Sequence, residues 1–202
     1  MYLFFDTETI GLPAFSYEDY RNENNTASCR LVQLAYLLTD EQGTIQKEVS
    51  KIIKPKGFQI RNSHLHGITQ EQAIEEGEEI TKVLLEFIDD LKGRIAIAHN
   101  VAFDSFILNA ELHRANAHNR IEDYAQDFFC TMQESTNLVK LNWNEHHQSY
   151  KWPKLSELAD FLIQNDYPIN YESKELHNAL ADVRLTKDCF FCLPDFFHSH
   201  LF

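Results

Sequence analysis

Five polar residues in three separated segments constrain the fold of this chain most, because each stands where an apolar element meets polar sequence. Asp6 and Glu8 lie in FFDTET, Asp104 ends HNVAFD, and His177 and Asp182 bound HNALAD. Four carboxylates and one imidazole are the groups needed to hydrolyse phosphodiesters with two bound metal ions. We therefore expect a fold that brings the three segments together, since stability alone does not require such a set.

The composition predicts one globular domain over residues 1–202, with a polar loop at 13–30 and a short tail at 194–202. The chain has 202 residues and 44% hydrophobic content, enough to bury a substantial core. Its net charge of −13 is the wrong sign for holding a long duplex through many phosphate contacts. Contact with nucleic acid is expected to be short and local, with bound divalent cations supplying positive charge at the phosphate.

The four cysteines and the lack of a long apolar segment bear on location. The sequence has no signal peptide and no run long enough to cross a bilayer, so we expect a reducing, cytoplasmic setting and no membrane partner. Cys189 and Cys192 form a C-x-x-C pair inside the apolar segment DCFFCL. Since the sequence has no second pair at metal-binding spacing, buried structural thiols are favoured over a zinc or redox site.

Hydrophobic periodicity predicts an α/β fold in which three strands precede alternating strands and helices. Strands are predicted at residues 2–5, 31–39, 45–54, 94–98 and 128–132. A turn at 40–43 makes the second and third strands a hairpin, so the first three strands are expected to be antiparallel. Helices are predicted near 70–75, 80–91, 100–115, 155–163 and 179–193.

The spacing within each acidic segment indicates how its side chains can be used. Asp6 and Glu8 are two apart at a strand end, so they share a face and can share an ion. Asp104 follows Asn100, a suitable N-cap, and a first-turn Asp is also typical of simple helix capping. His177 and Asp182 would lie about 140° apart on one helix, which places His177 on the preceding loop. A loop imidazole with a pKa of about 6.5 can accept a proton from water, although a solvated His and a surface Asp remain the alternative.

Taken together, the three segments resemble the DEDDh (DnaQ-like) 3′→5′ exonuclease family of the ribonuclease H-like superfamily. The first motif of that family is matched by DTET, the second by NVAFD at 100–104, and the third by HNALAD at 177–182. Secondary matches are GLP at 11–13, RLVQLA at 30–35 and HGIT at 66–69. Ile10 departs from the family, which often has a Thr there, and this change bears on substrate contact rather than on a metal ligand.

The resemblance implies a ribonuclease H-like fold: a mixed five-stranded sheet, its first three strands antiparallel, flanked by helices. It implies two Mg²⁺ ions, for which Mn²⁺ can substitute. Asp6, Glu8 and Asp182 would hold the first ion, Asp6 and Asp104 the second, and His177 would be the general base. The product would be a nucleoside 5′-monophosphate.

The same resemblance implies contacts to the terminal nucleotide. Backbone atoms near Thr7, Glu8 and Thr9 would grip the 3′-hydroxyl, and Leu12 would wedge against the terminal bases. His66 either borders this pocket or makes a backbone hydrogen bond, and the second interpretation is favoured.

One further segment has two open interpretations. Residues 142–154, NWNEHHQSYKWPK, alternate aromatic and cationic side chains. Such a segment can bind a single strand by stacking and phosphate contact, or its last aromatic residue can staple the loop to the domain.

Three function classes compete for the whole chain. The first is a metal-dependent 3′→5′ exonuclease acting on single-stranded DNA or RNA ends. The second is a non-catalytic nucleic-acid-binding module on the same fold, and the third is a metal-storage or sensor protein. The first class is favoured, because the chain has a matching residue at all five positions that the resemblance assigns to catalysis. Because the chain ends soon after the last predicted helix, a stand-alone enzyme is expected rather than a proofreading polymerase subunit, while a polymerase partner and a homodimer stay open.

Overall fold

A five-stranded mixed sheet is the centre of the structure, a computed structural model that describes residues 1–172 and 178–193. The strands are β1 (Tyr2–Thr9), β2 (Leu31–Thr39), β3 (Ile45–Ile52), β4 (Ile95–Ala98) and β5 (Asp127–Cys130), in the spatial order β3-β2-β1-β4-β5. The first three strands are antiparallel, and β4 and β5 continue the sheet in parallel with β1. The predicted mixed sheet is therefore confirmed.

Helices flank this sheet, and several were not predicted. They are α1 (Glu23–Thr26), α2 (Ser63–His66), α3 (Gln70–Glu76), α4 (Ile80–Leu91), α5 (Val101–Arg114), α6 (Thr131–Val139), α7 (Leu155–Gln164) and α8 (Ala179–Cys192), with a 3-10 turn at Ile121–Asp123. A small hairpin, β6 (Trp143–Asn144) and β7 (Ser149–Tyr150), lies outside the main sheet. Across the described ranges, no helix combines the length and the apolar character needed to cross a membrane.

Two predicted strand boundaries were wrong for identifiable reasons. The strand predicted at 2–5 continues to Thr9, because its polar second half is still paired with β2 through Leu31. The strand predicted at 128–132 ends at Cys130, because Thr131 begins α6, whose sequence TMQESTNLV has too weak an apolar stripe to be recognised.

The alternation of β1 places successive residues in different cores. Leu3 and Phe5 pack with α4 and α5 on one side of the sheet, where the Phe5 ring lies 5.7 Å from that of Phe87. Tyr2 and Phe4 pack with α8 on the other side, where the Phe4 ring lies 5.4 Å from that of Phe190. Because both faces are covered, β1 is held in a fixed register up to the point where its acidic residues begin.

Helix α8 is held against α7 by a third apolar cluster that includes Cys189 and Leu162. Cys189 is buried, and this burial raises the pKa of its thiol. A buried thiol with a raised pKa is inert, which agrees with the structural role predicted for it.

A buried carboxylate ties β2 to the end of α5. The Glu111 side chain is 1% exposed, and its Oε1 lies 2.8 Å from Arg30 Nε and 2.9 Å from Arg114 Nη1. The Leu31 amide also donates to Oε1, at 3.2 Å. Arg114 Nη2 in turn donates to the Thr26 carbonyl at 2.8 Å, so the predicted polar loop 13–30, which contains α1, is anchored to α5.

We predict that Glu111→Gln lowers the free energy of unfolding by about 3 kcal/mol, because it leaves two partly buried guanidinium groups without their counter-charge. Urea unfolding followed by circular dichroism measures this change. Asp89→Asn is the matched control, since it removes an exposed pair with Lys92 and is expected to cost less than about 0.5 kcal/mol. Equal costs for the two variants would contradict the assignment.

Candidate active site

Three carboxylates converge where β1 meets the start of α8. Asp6, Glu8 and Asp182 each offer one oxygen, and these oxygens all lie within 4.8 Å of one another. Asp6 and Glu8 continue the even-numbered face of β1 on which Tyr2 and Phe4 contact α8. The prediction that Asp6 and Glu8 share a face therefore agrees with the structure, and α8 supplies the third acid.

The position of α8 is set by polar contacts around its first turn. The Asn178 side chain accepts hydrogen bonds from the Leu180 and Ala181 amides and caps the helix. The Ala179 amide donates to Gln33 Oε1 at 3.4 Å, and Gln33 is the β2 residue paired with Glu8. Gln33 was missed in the sequence, although one polar residue inside the apolar run LVQLAYLL was the available signal.

Asp104 approaches β1 from the opposite side. Its Oδ1 accepts hydrogen bonds from the Thr7 amide at 2.9 Å and from the Thr7 hydroxyl at 2.7 Å. β1 and β4 are paired in parallel only from Tyr2 to Phe4. The Thr7 amide therefore donates to the Asp104 side chain of α5 instead of to a neighbouring strand. Asp104 is 3% exposed and ties the first turn of α5 to β1, which a simple capping role would not do.

Burial and mutual repulsion raise the pKa of Asp6, Glu8 and Asp104. Burial is the largest cause at Asp6, whose pKa is well above the usual range, followed by Asp104, Asp182 and Glu8. Burial and then Asp182 and Asp104 raise the pKa of Glu8 to about 8. Burial raises the pKa of Asp104 to about 7 although the hydrogen bonds from Thr7 lower it.

The donor set fits a divalent cation. Two unit charges 4–5 Å apart repel by roughly 3–4 kcal/mol at an effective dielectric near 20, so the ionised cluster needs positive charge between its members. All the donors are carboxylate oxygens, which are the ligands of hard ions such as Mg²⁺ and Mn²⁺. The site can therefore hold a divalent ion at the end of β1.

The other residues predicted to act in the site are the general base and the substrate contacts, and their environments differ. His177 lies outside the described residues, directly before Asn178 in the sequence. Thr7, whose backbone was predicted to contact substrate together with Glu8 and Thr9, donates its amide and its hydroxyl to Asp104. Thr9 is buried, with its hydroxyl donating to the Gly11 carbonyl and its own carbonyl accepting from Asn62 Nδ2. Leu12 is 69% exposed, as a residue that contacts bases must be.

The contacts of two residues near the site, Tyr17 and His66, are seen only in the structure. The Tyr17 ring meets that of Phe103 edge to face at 5.9 Å, and burial, followed by the charge of Asp104, raises the pKa of its phenol. Tyr17 lines a cleft of about 500 Å³ beside α5. Its position could not be predicted from the sequence, because the polar segment 13–30 has no hydrophobic periodicity. His66 is buried, and its Nδ1 accepts from the Ile68 amide at 3.2 Å, which agrees with the favoured backbone-bonding interpretation.

Comparison with known proteins identifies the family. Residues 3–190 match the RNase_T family model, which is described as exonuclease. The chain belongs to this exonuclease family. The resemblance to DEDDh (DnaQ-like) 3′→5′ exonucleases drawn from the three motifs is thereby confirmed, and the chain is an enzyme of that family.

Curated relatives of this exonuclease chain include two proteins named DNA polymerase III subunit epsilon. The Treponema pallidum protein is 27% identical over 60% of this chain and 52% of its own length. The protein from Buchnera aphidicola subsp. Baizongia pistaciae is 24% identical over 96% of this chain and 71% of its own length. The chain thus spans about half of the first relative and about seven tenths of the second.

Solved structures with the same fold include two exonucleases with DNA. E. coli Exonuclease I in complex with a dT13 oligonucleotide has a TM-score of 0.68 at 18% identity, covering 92% of this chain and 39% of that one. Exonuclease X in complex with 5′ overhanging duplex DNA has a TM-score of 0.59 at 19% identity, covering 94% and 89%. These similarities support the ribonuclease H-like fold predicted from the sequence.

We predict that Glu8→Gln stabilises the metal-free protein at pH 8 and not at pH 4.5. The folded pKa of Glu8, about 8, exceeds the ordinary 4.5, so folding favours the protonated form. Its contribution to stability is present below the unfolded pKa and is lost as pH rises through the folded pKa. In EDTA at pH 8 the variant should melt about 2–6 °C above wild type, which corresponds to roughly 1–2 kcal/mol.

The control for this experiment is Glu75→Gln, which removes an exposed carboxylate on α3 and is expected to leave the melting temperature nearly constant at both pH values. Adding Mg²⁺ should remove the advantage of Glu8→Gln by stabilising the wild type. A destabilised Glu8→Gln protein at pH 8 in EDTA would show that the cluster is not under electrostatic repulsion.

Proposed function

We propose that the chain is a metal-dependent 3′→5′ exonuclease that releases nucleoside 5′-monophosphates from single-stranded DNA or RNA ends. The observation that supports this most directly is the convergence of Asp6, Glu8 and Asp182 oxygens within 4.8 Å at the end of β1. A non-catalytic module of the same fold gives no reason for three partly buried, mutually repelling acids with Asp104 beside them, and a metal-storage protein would bind the ion without cutting the strand.

Each acid is assigned a role in this proposal. Asp6, Glu8 and Asp182 hold one ion, and Asp6 and Asp104 hold a second. When bound, Mg²⁺ supplies Lewis-acid activation of the phosphate and positive charge for the leaving 3′-oxygen. Thr7 fixes the orientation of the Asp104 carboxylate through its amide and hydroxyl, so its contribution to the site is positional.

His177 is assigned as the general base. An imidazole with an unperturbed pKa of about 6.5 is half or more neutral at physiological pH and can accept the proton of the attacking water. Its place in the sequence, directly before the capping residue Asn178 of the helix that carries Asp182, supports this role.

The nucleotide contacts are assigned to the chain that follows β1. Because the Thr7 amide and hydroxyl donate to Asp104, the backbone of Glu8 and Thr9 is proposed to hold the terminal 3′-hydroxyl, and the exposed Leu12 to contact the terminal bases. The hydrogen bond from Asn62 to the Thr9 carbonyl supports this assignment, because it keeps that backbone in a defined conformation. DNA in the structures of Exonuclease I and Exonuclease X supports a nucleic-acid substrate.

We predict stepwise shortening of single strands from the 3′ end in Mg²⁺, and at least about a 10³-fold lower rate in EDTA or with Asp6→Asn, since both remove the bound cation. Gel analysis of 5′-labelled and 3′-labelled DNA and RNA strands measures direction and step size. Asp40→Asn, an acid in the exposed β2–β3 turn, is the matched control and should digest at the wild-type rate. Internal cuts, or digestion that persists in EDTA, would contradict the proposal.

We predict that His177→Ala lowers kcat by about 10²–10⁴-fold while Mg²⁺ affinity changes by less than threefold, because a general base acts on water without binding the ion. Single-turnover digestion measures the first quantity and isothermal titration with Mg²⁺ the second. The control is His118→Ala, which alters an exposed histidine between α5 and the 3-10 turn at Ile121–Asp123. A parallel loss of ion affinity and rate would make His177 a ligand.

A proofreading subunit of a DNA polymerase is a second candidate, favoured by the two relatives named DNA polymerase III subunit epsilon. The same digestion assay separates the two candidates. A proofreading subunit is expected to gain activity on a mismatched primer end when the replicative polymerase subunit of the source organism is added, whereas a stand-alone enzyme is not.

A further inference from the structure

A small aromatic hairpin projects from the domain and is not used by the proposed chemistry. We call residues 142–152 the aromatic arm; it contains β6, β7 and the turn between them. Trp143 is 48% exposed and Trp152 is 58% exposed, and they are the two tryptophans of the whole chain. Exposure of two large aromatic side chains at the two ends of one short segment is unusual for a surface that has no partner.

The arm is internally ordered. The rings of Trp143 and Tyr150 meet edge to face at 4.9 Å across the hairpin, and the Lys151 amide donates to the Asn142 carbonyl at 2.9 Å. Asn144 closes the turn by accepting from the amides of His146 and His147. The aromatic surface is thus held in place before any ligand arrives, which reduces the entropy lost on binding.

The arm is anchored at the same sheet edge as the carboxylates. Pro153, which follows the arm, is buried, and its carbonyl lies 3.0 Å from His99 Nε2. Burial lowers the pKa of His99 to about 4, so the ring is neutral at physiological pH. Since a carbonyl can only accept, Nε2 carries the proton and donates to Pro153, and Nδ1 accepts from the Thr131 hydroxyl at 3.0 Å.

The register of the sheet relates this anchor to the acidic cluster. Phe4 of β1 is paired in parallel with Ile97 of β4, so Asp6, which follows Phe4, and His99, which follows β4, lie toward the same end of the sheet. The C-terminal end of the arm is therefore attached, through Pro153, at the end of the sheet that carries the carboxylates proposed to hold the reacting phosphate.

The charge of this region also differs from that of the chain. Residues 140–154 carry three lysines and one glutamate, a net charge of +2 in a chain whose total is −13. Lys151 contacts Glu157 at 2.7 Å, which holds one of these cations at the base of the arm. Aromatic rings beside cations are what proteins use to bind unpaired bases and their phosphates, and base stacking tolerates any sequence.

We propose that the aromatic arm is a stacking platform for unpaired bases of the strand whose 3′ end lies at the carboxylate cluster. This inference rests on the proposed nuclease function and adds a second contact region to it. Bases upstream of the terminal nucleotide stack on Trp143 and Trp152, while lysines of the region contact the phosphates. Paired bases have no free faces to offer, so the platform selects single strands.

The first experiment uses the two tryptophans as reporters. Decathymidylate is titrated into the Asp6→Asn protein in EDTA, so that no cleavage occurs, and binding is followed both by tryptophan emission and by the anisotropy of a labelled strand. Stacking predicts quenching that saturates together with the anisotropy. Complete binding by anisotropy with unchanged tryptophan emission, or no binding at all, overturns the proposal.

The second experiment tests the energetic contribution of each ring. Trp143→Ala and Trp152→Ala should each weaken decathymidylate binding by about 5–100-fold, while Trp152→Phe, which keeps an aromatic face, should lose much less. Leu85→Ala, an exposed apolar residue on α4, is the matched control and should bind like the parent. Circular dichroism verifies that each variant is folded. Equal affinities for all variants would overturn the platform and point to a protein-docking surface.

Cleavage assays keep this proposal separate from the function on which it rests. The ratio of kcat/KM for a ten-nucleotide strand to that for a dinucleotide should fall about 5–100-fold in Trp152→Ala, since a dinucleotide is too short to reach the arm. A wild-type protein that cleaves neither substrate in Mg²⁺ refutes the nuclease function. Cleavage of both substrates with the same ratio in wild type and variant refutes the arm alone.

Discussion

The alternation of side chains along β1 is the constraint on which the rest of the structure depends. Up to Phe5 it distributes apolar residues between the core under α4 and α5 and the core under α8. Beyond Phe5 the same alternation sends Asp6 and Glu8 toward Asp182 on α8, and sends Thr7 toward Asp104 on α5. One strand, buried on both faces and therefore unable to slip in register, thus gathers acids from two helices that lie on opposite sides of the sheet.

This gathering has a thermodynamic consequence. Clustered acids that are partly removed from water destabilise the metal-free fold at neutral pH, and the raised pKa values of Glu8 and Asp104 express that penalty. Burying both faces of β1 offsets it, as does the hydrogen-bonded frame of Thr7, Asn178 and Gln33 that holds the acids in place. A cation that binds the folded state alone stabilises it further by mass action, so ion binding and stability are linked.

The sequence predicted those parts of the fold and site that depend on local pattern. The apolar stripe of α4, the run of β2 and the two-residue spacing of Asp6 and Glu8 were all confirmed, because each follows from a fixed helix or strand period. The bond between Thr7 and Asp104 joins residues 97 positions apart, and no local period encodes it. The aromatic and cationic residues of the arm could be identified in the sequence. Its attachment through His99 and Pro153 is a tertiary contact, which the local sequence does not predict.

The chain and its proposed substrate are both negatively charged, so the repulsion between them has to be offset locally. A net charge of −13 repels a polyanion at a distance, so long-range steering cannot supply the affinity. In the proposed complex, two divalent cations would cancel the four negative charges of the carboxylate cluster, and the lysines of residues 140–154 would add positive charge beside the arm. With so few protein cations available, few counterions are released on binding, and affinity has to come from stacking and from the ions. On this proposal, the surface would hold a short unpaired end in place and give a long duplex little to bind.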